Sequence, residues 1–182
     1  MVAAMKNLTS ATFISGTLIV FVMTGCLFRG KLPHDPPHFQ AWNIHLMKDT
    51  GATNASFEVD LIGADEARKE HLERIPVTDY FGGQTSYRAD LQRFAVSYSF
   101  PVGGTNEHWL SATNEIWKTW REDSKYIVVM TSLPFGSREP GYEPRRAILY
   151  LDKCYYDRIA RKKDTLTVRL FGSWINVPGK AK

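Results

Sequence analysis

Apolar and polar residues alternate along several stretches of the chain beyond residue 38. In the stretch 56–62, apolar Phe57, Val59 and Leu61 alternate with the acidic residues Glu58 and Asp60. A period of two predicts a strand with one face in a core and the other in water, which places both acids on a solvated face. By the same criterion or by a continuous apolar run we predict six strands, at Phe39–Met47, Ser56–Ile62, Arg93–Phe100, Lys125–Leu133, Arg145–Leu151 and Thr165–Phe171. Gly172 indicates a bulge, after which 174–177 would continue the last strand.

Two segments have a helical period instead. The first, Asp65–Ile75, has acidic residues in its first turn and stops before Pro76. The second, Glu107–Arg121, places tryptophans at three- and four-residue steps or multiples of them, at Trp109, Trp117 and Trp120. We expect this tryptophan stripe to pack against a sheet, and a sugar-stacking platform is the alternative.

The order of these elements predicts the fold class. Strands and helices do not alternate regularly, which argues against a parallel sheet built from βαβ units. We therefore predict a mainly β (α+β) domain at residues 39–178, a two-layer antiparallel β-sandwich with two helical insertions, followed by a tail at 179–182.

The first thirty residues form a separate apolar region. Lys6 is the only charge before Arg29, and the 11 residues 13–23 between them form a largely apolar run. A membrane-spanning helix needs about 20 apolar residues, so the run is shorter than a span and suits the core of a secretory signal. A signal-anchor helix is the alternative.

The residues after this run resemble the lipobox of bacterial lipoproteins. Met23-Thr24-Gly25-Cys26 has a large apolar residue, two small residues and a cysteine in that order. The resemblance implies that 1–25 is a signal peptide, and that Cys26 receives acyl chains, palmitate among them, which anchor the protein in a membrane. Leu27 in place of an aspartate implies the outer membrane, with the domain facing the periplasm. Residues 26–38, which include Pro33, Pro36 and Pro37, would then be a tether, since twelve extended residues reach roughly 40 Å.

Composition and charge are consistent with one folded domain. The 182 residues are 43% apolar and 13% aromatic, which excludes a disordered chain. Removal of residues 1–25 takes away one basic residue, so 22 basic minus 19 acidic residues leaves a charge of +3. This excess is too small to indicate nucleic-acid binding. The clearest basic cluster, Arg158–Lys163, contains four cations and is either a solvated turn or a contact with anionic headgroups.

The sequence contains no strong catalytic or metal-binding motif. It has no Gly-x-Ser-x-Gly elbow and no phosphate-binding loop. His34 and His38 are four residues apart, but prolines between them oppose a metal site. Cys154 has no histidine nearby and is interpreted as a small buried apolar residue. We accordingly predict a protein that is not an enzyme and has no cofactor or metal.

The loop 133–144 is the candidate interaction site. It is longer than a hairpin connection needs, and it contains Phe135, Arg138 and Tyr142. Aromatic residues and arginine are enriched at protein interfaces. We predict that these three residues bind a protein partner.

The arrangement of the whole chain resembles one known family. A lipobox, a tether with prolines and a small β-sandwich with helical insertions make up the type VI secretion lipoproteins, and segments 55–63, 77–81, 126–130 and 145–151 look broadly similar in order to these proteins. They also look similar to a group of uncharacterised bacterial lipoproteins. The resemblance implies a non-catalytic, lipid-anchored component of an envelope or secretion assembly.

Two other functions remain open at this point. One is a small ligand- or glycan-binding protein or hydrolase of the envelope, with its pocket at Trp109, Trp117 and Trp120 or in the Tyr80–Gly83 loop. The other is a purely structural envelope protein. A pocket lined by convergent polar groups would favour the first of these.

Overall fold

Eight strands and four short helices make up the part of the chain that the computed structural model describes, which is residues 41–49, 54–83, 87–134, 143–151 and 165–177. All of these residues belong to one unit, Lys31–Lys182. The strands are β1 Asn43–Lys48, β2 Phe57–Ala64, β3 Ala95–Phe100, β4 Glu107–Leu110, β5 Tyr126–Thr131, β6 Arg146–Tyr150, β7 Thr165–Leu170 and β8 Ile175–Asn176. The helices are α1 Glu66–Arg74, α2 Val77–Phe81, α3 Tyr87–Asp90 and α4 Ile116–Asp123, and a 3₁₀ turn spans Gln92–Phe94.

The strands form two four-stranded sheets. The first has the order β4-β1-β7-β8 and the second has the order β3-β2-β5-β6. All neighbouring strands run antiparallel except β1 and β7, which run parallel with Asn43 opposite Thr165. The predicted β-sandwich with helical insertions is confirmed, and the single parallel pair is a detail that the sequence pattern did not indicate.

Two apolar clusters hold the layers together. The larger lies between the sheets and contains the inward residues of both, together with Trp42, Trp117 and Trp120. The smaller lies on the other face of the second sheet, where α1, α2 and the 3₁₀ turn cover the outward residues of β2 and β5, among them Ile62 and Val128. The central strands β2 and β5 of the second sheet are therefore buried on both faces, and the helices form a third layer.

This third layer overturns one expectation. Asp60 was predicted on a solvated strand face, but it is only 1% exposed. The period-two pattern correctly identified Phe57, Val59 and Leu61 as the residues of the inner face. It could not show that helices from residues 66–94 would cover the outer one.

The predicted helix Glu107–Arg121 is wrong in its first half. Residues 107–110 form β4, in which Trp109 lies opposite His45 of β1. A turn closed by the Asn114 N–H and the Ser111 carbonyl follows, and the Asn114 side chain then accepts a hydrogen bond from the Ile116 N–H at the start of α4. The helical spacing of Trp109 is therefore coincidental, because pairing with β1 determines its conformation.

The end of the described chain also differs from the expectation. Residues 174–177 do not continue the last strand, because the chain reverses in a turn where the Phe171 N–H bonds the Trp174 carbonyl. β8 then pairs antiparallel with β7. Similarly, Tyr80 and Phe81 belong to α2 rather than to a loop.

Several predicted features lie outside the described residues. These are the signal segment, Cys26, the tether, the two histidines at 34 and 38, Cys154, the basic cluster, the tail and the three predicted partner-binding residues. The longest helix in the described part of the chain, α1, has nine residues, and none of the helices there could span a bilayer.

Candidate functional site

Phe135, Arg138 and Tyr142 lie outside the described residues, but both flanks of their loop are described. On one flank Leu133 is fully buried in the sandwich core. On the other flank Arg145 is 7% exposed, and its carbonyl accepts a hydrogen bond from the Thr131 N–H at 3.0 Å. Both points from which the loop departs are therefore fixed in the second sheet.

An ion pair reinforces the second flank. The Arg145 Nε and Nη2 donate to the two carboxylate oxygens of Glu143, at 2.9 and 3.0 Å. Burial opposes ionisation of Glu143, but the hydrogen bonds from the Arg145 side chain and backbone outweigh it and hold the pKa of Glu143 below its ordinary value. Arg145 Nη1 also reaches the Leu133 carbonyl at 3.5 Å, which links the two flanks.

The second loop flank contacts the first sheet, at the end of β7 opposite to the start of β1. The Ile175 N–H donates to the Pro144 carbonyl at 2.9 Å, and Ile175 lies opposite Leu170, the last residue of β7. Asn43, two residues beyond the first described residue, lies opposite Thr165, the first residue of β7. Six strand residues separate these ends by roughly 17 Å.

An aromatic pair with one exposed ring lies beside the loop flank. The Phe171 and Trp174 rings stack at 4.1 Å with an interplanar angle of 7°, and Trp174 is 39% exposed. Trp174 directly precedes Ile175, which bonds Pro144. Sequence reasoning missed this pair as an interaction candidate because it placed Trp174 inside a continuing strand.

The three tryptophans of the predicted stripe do not form a common pocket. Trp117 and Trp120 are buried in α4, whereas Trp109 is 53% exposed on β4. Trp109 stacks on His45 at 4.0 Å, and His45 Nε2 lies 2.7 Å from a carboxylate oxygen of Glu107. The exposed ring is therefore held by cross-strand neighbours rather than by the other tryptophans.

A buried polar cluster lies under the helical layer. The Tyr80 hydroxyl donates to Asp60 at 2.8 Å, and Arg88 donates to both oxygens of the same carboxylate, at 2.8 and 3.1 Å. Arg88 also pairs with Glu58 at 2.6 Å. Burial, followed by the charge of Asp60, raises the pKa of Tyr80, while the hydrogen bond to Asp60 raises that of Arg88. The cluster fixes α2 and α3 on β2, because burial of Asp60 requires a paired cation.

A cleft opens beside this cluster. Its volume is about 480 Å³, and it lies between α3 and the edge strand β3. Asp60 and Arg88 form one wall, and Gln92 and Ser97 line the rest together with Gly83 and two alanines. The Tyr80–Gly83 region predicted as an alternative pocket thus borders a cleft with polar lining.

Metal-ligating side chains do not converge in the part of the chain that is described. No three histidine, cysteine or carboxylate side chains there are placed to hold a metal ion together.

Comparisons with known proteins give distant structural likenesses. No protein-family model matches the chain, and no curated protein matches it. A solved type VI membrane complex aligns over 76% of this chain and 98% of its own, with 13% identity and a TM-score of 0.49.

Two further solved structures align over similar shares. Serratia marcescens Lip, a membrane-bound component of the type VI secretion system, covers 75% of this chain and 97% of its own at 15% identity and a TM-score of 0.40. The type VI secretion lipoprotein TssJ1 of Pseudomonas aeruginosa covers 77% and 95% at 12% identity and a TM-score of 0.41. These values describe a remote likeness of overall shape, from which neither the family nor the function of this chain follows.

Proposed function

We propose that this protein is a lipid-anchored, non-catalytic interaction domain on the periplasmic side of a bacterial outer membrane. The observation behind the proposal is the order of segments: an apolar run, Met23-Thr24-Gly25-Cys26, a tether with prolines, and then a β-sandwich. Two or more acyl chains on Cys26 would give stable attachment, whereas a single chain binds membranes only marginally.

The geometry of the sandwich supports a division between an anchored end and a docking end. In this proposal the tether joins the domain at the start of β1, next to the start of β7, and the loop 133–144 has its second flank, at Pro144, beside the far end of β7. A domain held at one end presents the other to the periplasm. We therefore propose that Phe135, Arg138 and Tyr142 contact the partner, and that the Phe171–Trp174 pair beside the loop flank at Pro144 belongs to the same surface.

We further propose that the basic cluster Arg158–Lys163 contacts anionic headgroups at the anchored end. Its last residues, Lys162 and Lys163, come shortly before Thr165, the first residue of β7, in the sequence. Positive charge near a membrane surface contributes about 1 kcal/mol per residue with anionic lipids. Changing both lysines to glutamate in an unlipidated Cys26→Ser chain should weaken its binding to phosphatidylglycerol vesicles, and unchanged binding would contradict this orientation.

Metabolic labelling tests the anchor. A clickable palmitate analogue should label the wild-type chain but not Cys26→Ser, and labelling should survive Cys154→Ser, the matched change at the other cysteine. Label that persists in Cys26→Ser would reject the lipobox. Membrane fractionation tests the destination, since Leu27→Asp should move the protein from the outer to the inner membrane.

Crosslinking in membranes followed by mass spectrometry tests the docking surface. Alanine at Phe135, Arg138 and Tyr142 should abolish capture of a partner that the wild-type chain captures, with an unchanged melting temperature. Trp109→Ala, which removes an exposed aromatic ring from β4, is the control and should leave capture intact. Equal capture by the triple variant would refute the role of the loop.

The proposed setting is an envelope or secretion assembly of the type VI kind. It rests on the resemblance in segment order set out from the sequence. A crosslinked partner that is a membrane-anchored subunit of such an assembly would support it, and a chain that captures no partner would favour a purely structural envelope role.

A further inference from the structure

The cleft beside Asp60 and Arg88 is independent of the docking loop and of the lipid anchor. Its volume of about 480 Å³ lies within the usual range of small-molecule sites. We propose that it binds an uncharged, hydroxyl-rich saccharide.

The cleft exists because small residues surround a large polar pair. Ala95 and Ser97 lie on the outer face of β3, where Ser97 is opposite Asp60. Ala89 of α3 and Gly83 line the other side. Gly83 has a φ of 71°, and a Cβ there would meet nothing within 4 Å, so the space beside it is open. Larger side chains at these positions would fill the cleft.

The lining offers hydrogen bonds that the described protein does not use. A guanidinium has five N–H donors. In Arg88 three of them serve Asp60 and Glu58, through Nε, Nη2 and Nη1. The Gln92 amide and the Ser97 hydroxyl are exposed and form no hydrogen bond with another described residue. Arg88, Gln92 and Ser97 all line the cleft, so their unused donors and acceptors border the same space.

The balance of charge and of donors and acceptors selects the ligand class. Asp60 and Glu58 together outweigh the single charge of Arg88, which disfavours an anionic ligand. An anion would also offer only acceptors and leave the Gln92 oxygen unmatched, and an ammonium group would offer only donors and leave the spare Arg88 donors unmatched. A hydroxyl group both donates and accepts, and neighbouring hydroxyls on a sugar ring match side chains with forked polar ends such as these.

Amide NMR of the full-length chain in detergent micelles tests this inference. The probes are maltotetraose and the β-1,4-linked tetramer of N-acetylglucosamine as neutral saccharides, inorganic phosphate as an anion and spermidine as a cation. At millimolar concentration at least one saccharide should shift the amide signals of Gly83, Ala89 and Ser97, and the two charged probes should not.

Two variants test the location of binding. Gln92→Ala should weaken saccharide binding about tenfold, since it removes one or two hydrogen bonds. Ser97→Leu should abolish binding by filling the cleft, and Ser99→Leu, on the same strand but outside the lining, should leave it unchanged. The inference is overturned if neither saccharide shifts these signals, if phosphate or spermidine shifts them more, or if Gln92→Ala and Ser97→Leu bind as the wild type does. None of these results bears on the lipid anchor or the docking loop.

Discussion

Gly63 gives the sharpest test of how α4 packs against β2. It lies in β2 against the indole of Trp120, and a Cβ built on it would be 2.1 Å from Trp120 Cδ1 and 2.7 Å from Ser124 Oγ. Non-bonded carbon atoms pack at about 3.5–4.0 Å, so Gly63→Ala would have to push the new Cβ and the Trp120 indole apart by about 1.4–1.9 Å.

The Trp120 indole cannot move away from Gly63 without losing its own packing and hydrogen bond. Trp120 is fully buried, its ring packs edge-on against Trp117 at 5.0 Å, and its Nε1 donates to the Phe94 carbonyl at 2.7 Å. Overpacking costs about 1–3 kcal/mol, and loss of the indole hydrogen bond adds about 0.5–1.5 kcal/mol. Replacing glycine by alanine in a strand returns about 0.5–1 kcal/mol. We expect Gly63→Ala to lower the free energy of unfolding by about 2–3 kcal/mol.

Urea unfolding followed by tryptophan fluorescence measures this change. In a Trp120→Leu background, which removes the obstructing ring, the additional cost of Gly63→Ala should fall below about 1 kcal/mol. Gly83→Ala serves as the control, because its cost of about 1–2 kcal/mol comes from the backbone and should not depend on Trp120. A change smaller than about 0.5 kcal/mol in Gly63→Ala, or an equal cost in both backgrounds, would refute the packing argument.

Three further predictions concern two polar contacts and one exposed tryptophan. Tyr80→Phe should lower the free energy of unfolding by about 1.5–3 kcal/mol in a urea titration, since it removes a buried hydrogen bond to the Asp60 carboxylate. Tyr98→Phe should cost only about 0.5–1.5 kcal/mol in the same titration, because the Tyr98 hydroxyl bonds an exposed carbonyl. Folding lowers the pKa of Glu143 from its ordinary 4.5, so ionised Glu143 contributes its full stabilisation above that value and loses it as the pH falls through the lowered pKa. Glu143→Gln should therefore make stability fall less steeply at acid pH, and an unchanged fall would contradict the ion pair with Arg145. Trp109→Phe should reduce quenching of tryptophan fluorescence by acrylamide more than Trp117→Phe does, because only the first ring is exposed.

Six of the eight described strands were predicted from the sequence, because an alternating apolar face is visible in the sequence whichever surface covers it in the fold. The cores of all six predicted strands are present, and α1 begins at the Asp65 cap, whose side chain accepts from the Arg68 N–H at 2.7 Å. These are local signals, which depend on side-chain period and on capping chemistry. They identify which residues need burial, and they do not identify what covers them.

The errors occur where partners distant in the sequence decide the outcome. Trp109 has helical spacing, yet it lies in a strand because β1 is available to pair with it. Asp60 alternates with the inner-face residues of β2, a pattern that predicts exposure to solvent. It is buried because Arg88, 28 residues away, supplies a cation and Tyr80 a hydroxyl. The short helices α2 and α3 have too few turns for a period to be recognised.

The sequence by itself determined the class of fold and the inner faces of the strands, because each depends on residues close together in the chain, and the lipobox resemblance at Cys26 stays a prediction. Only the tertiary structure decided that the start of β1 and the loop flank at Pro144 lie beside opposite ends of β7, and that small residues leave a cleft beside Asp60 and Arg88. The physical reason is that strand pairing and burial of charge are settled between segments far apart in the sequence, where no local pattern records the partner.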